Sequence, residues 1–177
     1  MASSFNGLVD NDLLLNSQIG YYSPEDANTI LKANSNNDLS FMHINIRSLN
    51  ANSFKLIELI SSFSIKLDII ILSEIWNTNI NYFSNVFTDY TFVHSIASFQ
   101  RAGGCSILIH NSLAFSIVDS NNESNYFNNL AEYITIDVIK NIVNFRIYSF
   151  YRHPSSVISN FIDSLLSYLR KYKPKSR

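Results

Sequence analysis

An α/β fold is predicted by three neighbouring stretches in the first half of the chain. SFMHINI (40–46) alternates, with Phe41, His43 and Asn45 on one side and Met42, Ile44 and Ile46 on the other, which is the period of a strand. From Ser53 the apolar residues Leu56, Leu59, Ile60 and Phe63 recur at three and four, giving an amphipathic helix behind an Asn52/Ser53 N-cap. LDIIILS (67–73) is apolar on both faces, as strands inside a two-sided sheet are. Strand, helix and strand within about 35 residues make a βαβ-like unit, and a right-handed crossover brings both carboxyl ends to one sheet edge. Those ends carry Asn45 and Glu74, at the edge where open α/β sheets gather ligands.

The remaining elements follow in chain order. Residues 1–38 are rich in Asn, Ser and Asp and read as a loosely ordered leader, interrupted by a short helix around Glu25–Ala33 after a Ser-Pro-Glu-Asp start. Residues 39–177 form the folded domain. Its middle is strand-like: RAGGCSILIH (101–110) enters a strand through two glycines, and LAEYITIDVI (130–139) alternates. FRIYSFY (145–151) alternates again after a Lys140-Asn141 turn, so these last two strands are expected to form a hairpin. Pro154 stops the strand, and Ser155/Ser156 cap a helix whose stripe is Ile158, Phe161, Ile162, Leu165 and Leu169.

Composition bounds the function. With 177 residues, 46% of them hydrophobic and 14% aromatic, the chain holds enough apolar material for one domain with a packed core. A net charge of −1 argues against a broad nonspecific nucleic-acid field, which rests on clustered Lys and Arg, while leaving a local basic groove open. Cys105 is the single cysteine, so no intramolecular disulfide forms. With no secretory or other targeting signal evident, the expectation is an intracellular protein. No run reaches the ~18 apolar residues of a spanning helix.

The acid that closes DIIILSEIW is the residue that calls for chemistry. A carboxylate emerging from a buried strand beside an amide oxygen suits a hard divalent cation such as Mg²⁺, which takes one or two carboxylates and keeps several waters. The plainer reading is an acid that caps a neighbouring turn or pairs with a lysine. His43 and His94 read as structural strand histidines, Cys105 as a small buried hydrophobe, and Trp76 as packing beneath the loop after Glu74.

HINIRSL, DIIILSEIW, RAGG, LAEYITI and YSFYRHP, in this order, resemble the endonuclease/exonuclease/phosphatase superfamily. Within it they are most similar to the apurinic-endonuclease-like domain of non-LTR retrotransposons, over about Leu39 to Leu169. The resemblance implies the N-terminal part of a four-layered α/β sandwich, two mixed sheets flanked by helices. It implies Mg²⁺ as cofactor, held by Glu74 with Asn45, and DNA as partner. Asn45 matches the first-strand Asn of the metal and phosphate region. Tyr151 matches the Tyr whose hydroxyl lies by the scissile phosphate, its plainer reading being a core aromatic with a wet tip.

Arg152, in the Tyr-Arg pair of this branch, offers a forked donor to a phosphate, or is a surface Arg at a strand end. Glu132 matches a commonly acidic position, either supporting the metal site from behind or supplying plain strand polarity. Arg101 with Gly103 and Gly104 is similar to the family's glycine turn, a close entry into a strand. Neither His43 nor His94 matches the family's catalytic His.

The same resemblance exposes a departure. Family members activate the attacking water with a Gly-Asp-x-Asn motif and a Ser-Asp-His motif, and neither is in this sequence. The implied function is therefore the N-terminal fragment of a Mg-dependent DNA endonuclease that in intact relatives nicks target DNA for reverse transcription. The chain itself is expected to be inactive, and its partners would be the other endonuclease half and the reverse transcriptase of the same polyprotein. The fragment is expected to lack one sheet and to expose strand edges and apolar faces. Nuclear residence follows only from the family role. Two alternatives stand beside this: a non-catalytic or binding remnant, and another phosphodiesterase or phosphatase of the superfamily.

Overall fold

The computed structural model describes residues 23–33, 38–76, 80–95, 97 and 102–172. Residues 1–22 and 34–37 of the leader, Arg101 and the last five residues lie outside the described residues. In chain order the elements are α1 (Pro24–Ala33), β1 (Phe41–Asn45), α2 (Leu49–Ser62), β2 (Ile69–Ser73), α3 (Ile80–Val86) and β3 (Tyr90–His94). They are followed by β4 (Cys105–His110), β5 (Ala114–Ser120), β6 (Ala131–Lys140), β7 (Val143–Arg152) and α4 (Ile158–Lys171).

Two sheets form. The first has the order β1-β2-β4-β3, with β1 parallel to β2 and the other pairs antiparallel. The second is β5-β6-β7, antiparallel throughout, with a register shift between Ile117 and Asp119. The expected hairpin is β6–β7, and it turns at Asn141 and Ile142, both with positive φ.

Alternation along the strands sorts the core into three slabs. Ile69, Cys105, Ile107 and Ile109 of the first sheet meet Ile134, Ile136 and Val138 of the second, forming the layer between the sheets. The opposite face of the first sheet, with Ile70, Leu72 and Leu108, packs on Leu49 and Leu56 of α2 and Phe83 of α3. The opposite face of the second sheet gathers aromatics: Tyr133, Phe127, Tyr148 and Phe150 close on Tyr168 and Phe161 of α4. The stack is helix, sheet, sheet, helix, a four-layered α/β sandwich.

Three expectations need correction. Both sheets and both helical layers are present among the described residues, so no whole sheet is lacking. Helix α2 starts at Leu49 behind Ser48, whose Oγ accepts the Ala51 amide at 3.3 Å, and not behind Asn52/Ser53. Asn52 sits in the first turn, donating to the carbonyls of Ile46 (2.9 Å) and Arg47 (3.0 Å); the fully buried Leu49 anchors the helix ahead of the stripe from Leu56. Helix α4 starts after Val157, not at Ser155/Ser156, because the Ser156 hydroxyl donates to His153 O at 2.8 Å and closes the preceding turn.

The leader's helix is held to the domain: Asn28 donates to Ser62 O (2.9 Å) and accepts from Ser64 N (2.7 Å), and Leu31 packs on the α2–α3 slab. At the opposite end, Asp68 accepts from Ser40 N at 2.8 Å and from Lys140 Nζ at 2.6 Å, tying the hairpin tip to the start of β2. Exposed apolar residues remain on α4 (Ile158, Ile162, Leu166) and on β1 (Phe41).

Candidate functional site

The parallel register sets Asn45 opposite Ser73, so the residue after each strand emerges at one sheet edge. There the backbone leaves ordinary geometry. Arg47 (φ 46°), Ser48 (φ 84°), Glu74 (φ 57°) and Trp76 (φ 62°) are all in the left-handed region. Such residues cost on the order of 1–3 kcal/mol each and persist only where their surroundings over-determine them.

The surroundings here are a lacing of three loops. Ser48 N donates to Glu74 O at 2.8 Å and Leu49 N to Ile75 O at 3.2 Å. Ile75 N donates to Gly104 O at 3.3 Å and Trp76 N to Gly103 O at 3.0 Å. Glu74 is therefore clamped by its backbone on both sides, with its side chain half-buried at the edge. Gly103 and Gly104, at φ 81° and 78°, permit this approach: a Cβ on Gly104 would stand 2.6 Å from Ile75 Cγ1.

The second sheet delivers Tyr151, directly across from Glu132 in the β6–β7 ladder. Partial burial raises the Tyr151 hydroxyl pKa, the negative charges of Glu74 and then Glu132 raise it further, and Arg152 pulls it the other way. Asn45 is exposed, and its Oδ1 accepts the Arg47 amide at 3.2 Å. Glu132 is buried to 1% exposure and its carboxylate accepts the Gly104 N–H. Beside Asn45 runs a groove of about 310 Å³ whose lining includes Arg47, Asn52 and Lys55 over an apolar floor of Leu56 and Leu59.

The structure thus brings Asn45, Glu74, Tyr151 and Glu132 to one end of the sandwich. Arg152 is at the same end, but its Nη1 donates to the carbonyls of His153 (3.1 Å) and Ser156 (2.9 Å), so part of the guanidinium holds the turn before α4. His43 lies on β1 with Nε2 3.2 Å from Ser73 Oγ, and His94 ends β3, its pKa lowered by burial. Cys105 is fully buried and its thiol pKa is raised by that burial to about 12.

Sequence reasoning missed His153, which is 3% exposed, packs edge-on against Tyr151 with ring centroids 5.7 Å apart, and places Nε2 3.6 Å from Glu132 Oε1. Its only signal was its place in YRHP, two residues after Tyr151.

Among the described residues, no three His, Cys, Asp or Glu side chains converge as a metal cage does. Zinc-type coordination is not built here. Glu74 and the Asn45 amide oxygen, one half-exposed and one exposed, do fit a hard cation that keeps most of its water.

Comparison with solved structures assigns the architecture. A humanised D. rerio TDP2 carrying 14 mutations superposes with a TM-score of 0.55 at 15% identity, covering 77% of this chain and 61% of that one. The endonuclease domain of TRAS1, a telomere-specific non-LTR retrotransposon, gives 0.54 at 16% identity, covering 78% of this chain and 55% of that one. The chain has an endonuclease/exonuclease/phosphatase-like fold. D. rerio TDP2 complexed with a single-strand DNA product superposes with a TM-score of 0.57 at 15% identity, over 77% of this chain and 56% of that one. This chain therefore spans between 55% and 61% of the length of these structures. No protein-family model matches the sequence, and no curated protein matches it.

Proposed function

We propose that this chain is the N-terminal, metal- and phosphate-binding part of a DNA endonuclease of the non-LTR retrotransposon kind. In this reading it binds DNA but does not cleave it alone. The observation that carries the reading is the clamped Glu74: a carboxylate held in a left-handed conformation by two neighbouring loops, at the end of the sandwich where β7 delivers Tyr151. Backbone strain that the surroundings maintain marks positions where side-chain direction matters.

Glu74 and Asn45 would hold Mg²⁺, which when bound neutralises charge developing on a phosphodiester. Tyr151 supplies a hydroxyl that stays protonated at neutral pH and so donates a hydrogen bond to a phosphate oxygen. Arg152, anchored through Nη1, is the cation next to it, and the groove bearing Arg47 and Lys55 continues the positive character past Asn45. The Gly-Asp-x-Asn and Ser-Asp-His motifs that activate the water in the family this sequence resembles are not in it, which supports binding without water activation. The similarity to a TRAS1 endonuclease domain and to a TDP2 structure holding single-strand DNA supports DNA as the ligand. In this reading the rest of the endonuclease and a reverse transcriptase complete the working protein, whose site of action is the nucleus.

The similarity to TDP2, as good as that to TRAS1, favours a second reading: a portion of another superfamily enzyme acting on DNA phosphates. The test is fluorescence anisotropy of a labelled single-strand oligonucleotide with and without Mg²⁺, run beside a plasmid-nicking assay. The reading expects Mg²⁺-dependent binding lost in Glu74→Gln, and no nicking. Nicking that disappears in Glu74→Ala would overturn the inactivity, and binding indifferent to Glu74 would overturn the metal site.

A further inference from the structure

The buried Glu132–His153 pair lies behind the candidate site and touches both of its halves. Glu132 accepts the Gly104 N–H, and a Cβ placed on Gly103 would sit 2.6 Å from Glu132 Oε2, so this carboxylate fills the space under the glycine loop. The carbonyls of Gly103 and Gly104 in turn accept the amides of Trp76 and Ile75, the residues that follow Glu74. On its other side Glu132 stands 3.6 Å from His153 Nε2, and the His153 ring packs edge-on against Tyr151. His153 N also donates to Leu130 O at 3.0 Å, which fixes the histidine against the start of β6.

One continuous set of contacts therefore runs from Tyr151 through His153, Glu132 and the glycine loop to the backbone around Glu74. A carboxylate and an imidazole with exposures of 1% and 3% are costly to bury without partners, and plain strand polarity does not require them at this depth. We infer that Glu132 and His153 are positioning residues that couple the second sheet's Tyr151 to the first sheet's Glu74 and hold the cation ligand in its strained conformation. This rests on the metal-site reading above and assigns neither residue to the cation itself. Partners behind a ligand of this kind typically change metal affinity by 10–100-fold when removed.

The test uses two readouts on the full chain, with Glu132→Gln, His153→Ala and the conservative His153→Gln. Amide hydrogen exchange at Ile75 and Trp76, against the amides of β3 as an internal control, reports the clamp without any metal. Terbium luminescence sensitised by Trp76, the chain's single tryptophan, reports a hard cation at Glu74. Glu132→Gln and His153→Ala are expected to speed exchange at Ile75 and Trp76 selectively and to weaken terbium binding about tenfold. His153→Gln, which keeps a donor toward Glu132, should retain most of the affinity.

A purely structural pair would lower the urea midpoint while leaving the folded protein's terbium affinity and the selective exchange unchanged, and that result overturns the inference. If Glu132→Gln does not fold, the two His153 variants decide by the same criteria. Luminescence that survives Glu74→Gln overturns the metal-site reading and, with it, the positioning role. Loss in Glu74→Gln with no effect in the pair's variants overturns the positioning role alone.

Discussion

Replacing Ile142 with glycine should stabilise the protein. Asn141 and Ile142 occupy the two-residue turn of the β6–β7 hairpin with φ of 48° and 67°, the pattern of a type I′ turn, and Lys140 pairs with Val143 on either side. Asparagine tolerates that region, but a β-branched side chain there costs about 1–2 kcal/mol. Ile142 is 91% exposed, so truncating it forfeits little burial. Glycine loosens the unfolded chain, which takes back about 0.4–1 kcal/mol. The net gain is about 0.5–1 kcal/mol, which at an m value of ~2 kcal/mol/M raises the urea midpoint by about 0.3–0.5 M. The assay is equilibrium urea unfolding followed by Trp76 fluorescence and far-UV circular dichroism, with Asn141→Ala as the opposite control, expected to lower the midpoint. A midpoint that falls in Ile142→Gly at unchanged m would refute the turn geometry.

Three further outcomes follow from other parts of the molecule. Gly103→Ala would force a side chain at φ 81° into the Glu132 carboxylate, 2.6 Å away, and should destabilise the fold by about 1–3 kcal/mol in the same assay. Thr135→Val removes the partner, at 2.7 Å, of the buried Tyr168 hydroxyl and should cost about 1–3 kcal/mol; adding Tyr168→Phe should recover part of that loss in a double-mutant cycle. Burial pushes the Asp68 pKa up, but hydrogen bonds from Lys140 and Ser40 outweigh it and hold the carboxyl below its usual value. Because the folded value is the lower one, this stabilisation is complete above the unfolded pKa of ~4 and is lost as pH falls through the folded value. The stability gap between the unmutated chain and Asp68→Asn should therefore narrow from pH 5 toward pH 2, and a constant gap would exclude the effect.

The parts of the fold that were legible in the sequence are those with a clean period. SFMHINI and the β6–β7 hairpin alternate, and their alternation maps onto the slabs they pack into. Helix α3 and strands β3 and β5 were not individually legible: they run five to seven residues, and the register shift between Ile117 and Asp119 breaks the period of β5. Glu74 stands out in the sequence as an acid closing an apolar run, but position alone favours a turn cap or a lysine partner, and the proposed metal role comes from the resemblance. The clamp around it was not legible. Its left-handed positions hold Arg, Ser, Glu and Trp, none of which advertises positive φ, and the bonds that impose it come from loops about 30 residues apart. His153 was hidden for a related reason: it follows the strand end, and only the packing of the second sheet over the glycine loop buries it.

That packing also explains why the site is open to solvent. Among the described residues the first sheet has four strands and the second has three. Met42 and Ile44 of β1 face the helical slab, so Phe41, His43 and Asn45 point to the side the second sheet occupies elsewhere. β2 lies over β7, while on β1 all three of these side chains are exposed, Phe41 to 68%. The arrangement that strands an apolar Phe41 in water also leaves Asn45 accessible next to Glu74. Tyr151 reaches the same place from β7 of the second sheet. The distance between the two candidate ligands is therefore set by the β1–β2 register, but the distance from them to Tyr151 depends on the slab of isoleucines between the sheets. The geometry of this candidate site is tied to inter-sheet packing as closely as to the β1–β2 register.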